Sequence, residues 1–110
     1  MSVLAAVKAM FAGDSDVTII DAAVSPVEFV SRIRAATTRF VLVIVGPDLS
    51  PVDRAMILAG IGPLAVELGP KRRIGALDIG ADARRKDILD TARFLAGAES
   101  STGQVLAVTA

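Results

Sequence analysis

Cysteine, histidine, tyrosine and tryptophan are all missing from the 110 residues. Without Cys there is no disulfide framework and no thiolate nucleophile. Without His, the side chain that titrates unaided near neutral pH is gone, and acid–base chemistry would fall to a strongly perturbed Asp, Glu or Lys. A zinc site would have only carboxylates to draw on. The aromatics are four Phe, so no stacking platform for bases is evident. Charge of one sign is missing as well. Twelve basic residues balance twelve acidic ones, which removes the electrostatic case for nucleic acid or an anionic membrane. The apolar runs at 40–46 and 55–66 are too short to cross a bilayer, and Gly60, Gly62 and Pro63 interrupt the second. The opening MSVLAAVKAMFAG has no basic n-region and carries Lys8 inside its apolar run, so it does not read as a leader. The expected setting is the cytoplasm, with no metal, cofactor, nucleic acid or membrane as partner.

What the chain does have is apolar surface. Apolar residues make up 53 % of it. A single domain of this length has little interior relative to its surface, so part of that apolar material is expected at a subunit interface. The stretch 39–70 dominates. Phe40 to Val45 is a continuous apolar run rather than an alternating one, which fits a central parallel strand covered on both faces. Ser50-Pro51, with Asp53 at the third helical position, opens a helix that runs to Leu68 and stops at Gly69-Pro70. Pro63 removes one hydrogen bond within it and is expected to bend it.

The same signals mark the other elements. A helix over 2–12 ends at Gly13. The β-branched run Val17 to Ile20 is a strand. Ser25-Pro26-Val27-Glu28 reads as a capping box opening a helix that ends near Thr37. Ile74 to Ile79 is a strand. Asp82 is the expected cap of a helix over 83–96, and Gln104 to Val108 is the last strand. The order αβαβαβαβ predicts one α/β domain over 1–110, about four parallel strands with helices on both faces.

From Leu64 onward the chain resembles the C-terminal half of a short-chain dehydrogenase/reductase. The pieces LAVELGP, FLAGAESS and TGQVLAV carry the likeness, and upstream DVTIIDAA and RFVLVIVGP resemble the two preceding strands. The resemblance implies a half-Rossmann-like fold, the fourth to seventh strands of that family, with the first three absent. It places the family's catalytic Tyr on Ser50 and its Lys on Arg54. The catalytic Ser falls near Gly46 or Pro47, and the Asn of the Asn-Asn-Ala-Gly turn near Ile20 or Asp21. The Gly-rich phosphate loop would lie outside the chain. Serine is no acid at neutral pH and arginine is a fixed charge. The implied reading is therefore a non-catalytic relative, not itself an enzyme, that acts through association.

In a parallel sheet ligands bind beyond the carboxyl ends of the strands. That edge would carry Asp21, Gly46, Asp48, Ser50, Asp78, Gly80, Asp82, Arg84 and Arg85. Most read as caps and loop residues. Gly80, Arg84 and Arg85 are the candidates for holding a small anion. Lys71-Arg72-Arg73 and Arg84-Arg85-Lys86 lie at opposite ends of one strand, roughly 20 Å apart, and read as solvated ends rather than one basic patch.

The helix 51–68 is apolar nearly all the way round, and the sheet covers only one side of it. The expected interface residues are Val52, Ala55, Met56, Ala59, Ile61, Leu64, Ala65 and Leu68. In the family, the corresponding helix and the one before it build a four-helix contact between subunits. The resemblance thus implies a homodimer, or a tetramer if the last helix and strand make a second contact. Two alternatives stand beside it. One is half of a split nucleotide-binding or oxidoreductase assembly, completed by a partner chain. The other is a small-anion binder at the strand ends.

Overall fold

The structure, a computed structural model, describes residues 2–109. Helix α1 (Val3–Met10) is followed by β1 (Val17–Asp21), α2 (Pro26–Ala35), β2 (Phe40–Val45), α3 (Pro51–Leu68), β3 (Arg73–Ile79), α4 (Arg85–Gly97) and β4 (Gln104–Val108). The element order is the expected one, and the bounds of β2, α3 and β4 coincide with the sequence reading.

Local chemistry explains most of the boundaries. Ser25 Oγ accepts from the amide of Glu28 at 3.1 Å, and Ser50 Oγ from that of Asp53 at 3.2 Å. Each cap precedes a proline at the first helical position, where a missing N–H costs nothing. The expected capping box is only half made. Glu28 reaches forward to Arg32 at 2.8 Å instead of back to Ser25. Gly69, at φ 76°, ends α3 in a conformation that favours glycine. The start of α4 departs from expectation. Its cap position is Arg84, with no side-chain cap, and Asp82 lies exposed in the loop. Helix α3 stays continuous through Pro63. The carbonyl that Pro63 cannot serve belongs to Ala59, an exposed residue whose oxygen water can reach.

The four strands form one parallel sheet in the order β1-β2-β3-β4. Alternation along β2 divides the core in two. Val41, Val43 and Val45 pack with Phe29 and Ile33 of α2 and with Ile57, Ile61 and Leu64 of α3. Phe40, Leu42 and Ile44 pack with Val7 of α1 and with Ile88, Ala92 and Leu95 of α4. Helices α2 and α3 therefore cover one face, and α1 and α4 the other. This has a topological consequence. The strands step in one direction across the sheet, yet α4 lies on the face opposite α2 and α3. The β3–α4–β4 crossover must have the opposite hand to the two before it, against the strong preference for right-handed connections.

Both outer strands are edges. In β1, the carbonyl of Asp16 and the amide of Ala22 bond to β2, so the intervening backbone groups of Ile19 and Asp21 face the open side. No strand among the described residues pairs there.

Arginines tie the ends of the sheet to the helices. Arg72 donates to the carbonyls of Thr38 and Ala36. Arg73 donates to Ala98 and Ala96 at 2.9 Å and to Leu95 at 3.3 Å, with its guanidinium 4.5 Å over the Phe40 ring. The reading of 71–73 as solvated ends is corrected here. Two of the three cations donate to backbone carbonyls of the α2–β2 turn and of the end of α4.

Candidate functional site at the carboxyl ends of the strands

Beyond the carboxyl ends of β1, β2 and β3 lies a cleft of about 230 Å³. Asp21, Gly46, Asp48, Ile79 and Gly80 line it, and Val3 and Leu4 of α1 form one wall. The fold explains the placement. Each strand ends on this edge, each following helix begins there, and Gly46 and Gly80 stand one residue past their strands. The structure thus brings together Asp21, Gly46, Asp48 and Gly80 from the sequence-predicted set. Asp21 Oδ1 accepts from the Ala23 amide at 2.9 Å, which shapes the turn out of β1.

Arg54 lies behind the cleft, bonded to Gly46 and Ile79, which line it. It stands in the first turn of α3, four residues after the Ser50 cap. Its Nη1 pairs with the Asp78 carboxylate, and its Nη2 donates to the Gly46 carbonyl at 2.5 Å and the Ile79 carbonyl at 3.4 Å. One guanidinium thereby joins the ends of β2 and β3 to α3. Both partners are mostly buried, with side chains 24 % and 29 % exposed. Sequence reasoning placed Asp78 at this edge and the family's Lys position on Arg54 but missed that the two pair. The available signal was their opposite charge at two points that a parallel sheet makes neighbours. Arg54→Ala is expected to cost about 1.5 to 3 kcal/mol, the range for charge-assisted hydrogen bonds. Urea denaturation checks it, and an unchanged midpoint would mean that the pair holds nothing.

The remaining predicted residues divide. Ser50 is a helix cap and Asp78 is Arg54's partner. Asp82 is an exposed loop residue. The anion candidates do not form a cradle, because the amide of Gly80 is spent on the Val108 carbonyl at 2.9 Å and Arg84 and Arg85 do not line the cleft. No group of three or more potential metal ligands occurs among the described residues. No helix among them is long and apolar enough to cross a membrane.

The expected interface residues also separate. Val52, Ala55, Met56 and Ala59 are exposed, and Leu68 is half-buried. Ile61, Leu64 and Ala65 are instead buried against the domain's own sheet. The reason is the 3.6-residue period, which turns Ile57, Ile61, Leu64 and Ala65 to the inside. A helix apolar on every side gave no sequence signal for which side that was.

A parallel sheet with helices on both faces and a cleft beyond its strand ends defines a Rossmann-like α/β protein. The model for short-chain dehydrogenase-like proteins matches residues 18–108, and the chain belongs to that family. No curated protein matches it in sequence. Among solved structures, the FolM alternative dihydrofolate reductase 1 of Brucella suis, solved in complex with NADP, is similar in fold. The TM-score is 0.61 at 15 % identity, covering 98 % of this chain and 68 % of that one. The expectation that the chain is not an enzyme is corrected by this finding. The fold it shares is that of an NADP-bound reductase, so the missing Tyr and Lys are no ground for setting it outside oxidoreductases.

Proposed function

We propose that the chain is the strand-end half of a nucleotide-dependent oxidoreductase, completed by a second polypeptide. The observation that carries this reading is the cleft beyond β1–β3, lined in part by Asp21 at the end of the edge strand β1. In the proposed assembly, the cleft receives the reacting end of cofactor or substrate. Gly46 and Gly80 keep its floor free of side chains, and Arg54 fixes the ends of β2 and β3 that bear it. The Arg54 guanidinium is a planar fork of donors, and its role in the assembly is to orient. The chain has no Tyr or His. A proton donor for hydride transfer therefore comes from the completing polypeptide, as does the Gly-rich turn for the pyrophosphate.

Thermal unfolding in millimolar NADPH tests this reading. With half the contacts available, the chain alone is expected to shift by less than about 3 °C, whereas micromolar affinity would give more than about 15 °C. A shift of that larger size would show that one chain holds the whole cofactor, and it would contradict the split assembly.

A further inference from the structure

We infer that a second cavity, at the amino ends of the strands, binds a small zwitterion: a molecule of amino-acid size with a carboxylate at one end and an ammonium at the other. This goes beyond the split-assembly reading and does not depend on it. The cavity measures about 370 Å³. It lies at the opposite end of the sheet from the strand-end cleft, roughly 20 Å away along β3, and shares no lining residue with it. Val17 and Phe40, which open β1 and β2, and Ala96 near the end of α4 give it apolar walls.

Charge is what marks the cavity. Asp14, Asp16 and Glu99 line it together with Arg39, Lys71 and Arg73, so acids and bases balance. Elsewhere on the molecule opposite charges close on one another, as Glu28 does on Arg32, Glu67 on Arg34 and Asp90 on Lys86. Around this cavity they do not. None of the six is in an ion pair among the described residues. The fold supplies the reason. The acids come from the α1–β1 turn and the segment after α4, whereas the bases come from the segments leading into β2 and β3, so each stands on its own element around the space. Arg73 adds a second observation. All its hydrogen bonds to the carbonyls of Leu95, Ala96, Ala98 and Ser101 leave from Nη1 and Nη2. A guanidinium has five N–H donors, and the Nε–H of this half-buried group meets no acceptor among the described residues. A carboxylate in the cavity supplies one. A simple anion would also meet the carboxylates, and a simple cation the bases. A molecule carrying both charges satisfies both sets, which is how charge complementarity selects a zwitterion. Its carboxylate takes Lys71 and the open edge of Arg73, and its ammonium takes Glu99 and the acids of the α1–β1 turn.

Three probes of one carbon skeleton separate the charges: γ-aminobutyrate carries both, butyrate only the carboxylate and butylammonium only the ammonium. Amide chemical-shift titration of the whole chain is the measurement. With γ-aminobutyrate, saturable shifts are expected at Val17, Phe40, Arg73 and Glu99, and none at Gly46 or Gly80 of the strand-end cleft. Butyrate and butylammonium are each expected to bind more than about tenfold more weakly, since each gives up one set of charge-assisted hydrogen bonds. Lys71 and Glu99 are exposed, so their substitution leaves the core intact. K71Q and E99Q are each expected to weaken γ-aminobutyrate binding at least about fivefold with an unchanged circular dichroism spectrum. The absence of saturable shifts up to about 50 mM γ-aminobutyrate, equal binding of either singly charged probe, shifts centred on Gly46 and Gly80, or undiminished binding to K71Q and E99Q would each overturn the inference.

Discussion

Ile61→Ala is expected to lower the unfolding free energy by about 3 to 4 kcal/mol, as large-to-small changes in a closed core do. Ile61 is fully buried between α3 and the sheet. It packs with the valines of β2 and with Ile57 and Leu64 of its own helix. Its removal forfeits the transfer free energy of three carbons and leaves a space that β2, bonded on both sides, cannot collapse to fill. Met56 is the control. It lies five residues away on the same helix but is 55 % exposed. Met56→Ala is expected to change stability by less than about 0.5 kcal/mol. Urea denaturation of both variants measures the contrast. A loss below about 1 kcal/mol at Ile61 would show that this face of α3 is not closed by the sheet.

The second large effect is expected at Arg73. Its guanidinium donates to the carbonyls of Leu95, Ala96 and Ala98 at the end of α4, and it stacks on Phe40. It also complements the negative end of the helix. Arg73→Ala removes all of this from one half-buried position. The expected cost is about 2 to 4 kcal/mol, combining charge-assisted hydrogen bonds with a partly desolvated cation–π contact. Arg73→Lys should recover less than half of that, because a point charge cannot fork between several carbonyls while lying flat on a ring. Hydrogen exchange provides a second readout. The amides at the end of α4 are expected to lose protection first, ahead of the sheet. If α4 keeps its protection and the midpoint stays unchanged, Arg73 is an ornament of the surface. Both losses are large against the 5 to 15 kcal/mol that holds a domain together.

Much of this fold was legible in the sequence, and particular residues show why. Phe40 to Val45 admits one reading, since six consecutive apolar residues after a helix can only be a strand covered on both faces. Ser25-Pro26 and Ser50-Pro51 mark helix starts because serine accepts from an amide two or three residues on and proline needs none. The family pieces LAVELGP and TGQVLAV gave α3's end and β4. Other features depend on the fold as a whole. Nothing in 80–97 says on which face α4 will pack, so the reversed crossover is invisible until the sheet is assembled. The inner and outer sides of α3 are equally apolar, which is why Ile61, Leu64 and Ala65 read as interface. Arg72 and Arg73 looked solvated because their partners are carbonyls, and a sequence does not show which carbonyls a guanidinium will reach. At the site, the strand-end positions were legible but the Arg54–Asp78 pairing was not. The pair joins residues 24 positions apart, through a contact made only when the start of α3 packs beside the end of β3.

The functional account rests on one claim, that this chain supplies the reacting-end half of a dinucleotide site. Amide chemical-shift mapping with two cofactor fragments tests it most directly on the chain as it stands. Reduced nicotinamide mononucleotide is the reacting half, and adenosine 2′,5′-bisphosphate is the half that the completing polypeptide would hold. The account predicts saturable shifts at Gly46, Gly80 and their neighbours with the nicotinamide fragment and none with the adenosine fragment. Shifts from the adenosine fragment at those glycines, or none from the nicotinamide fragment at saturating concentration, would contradict it.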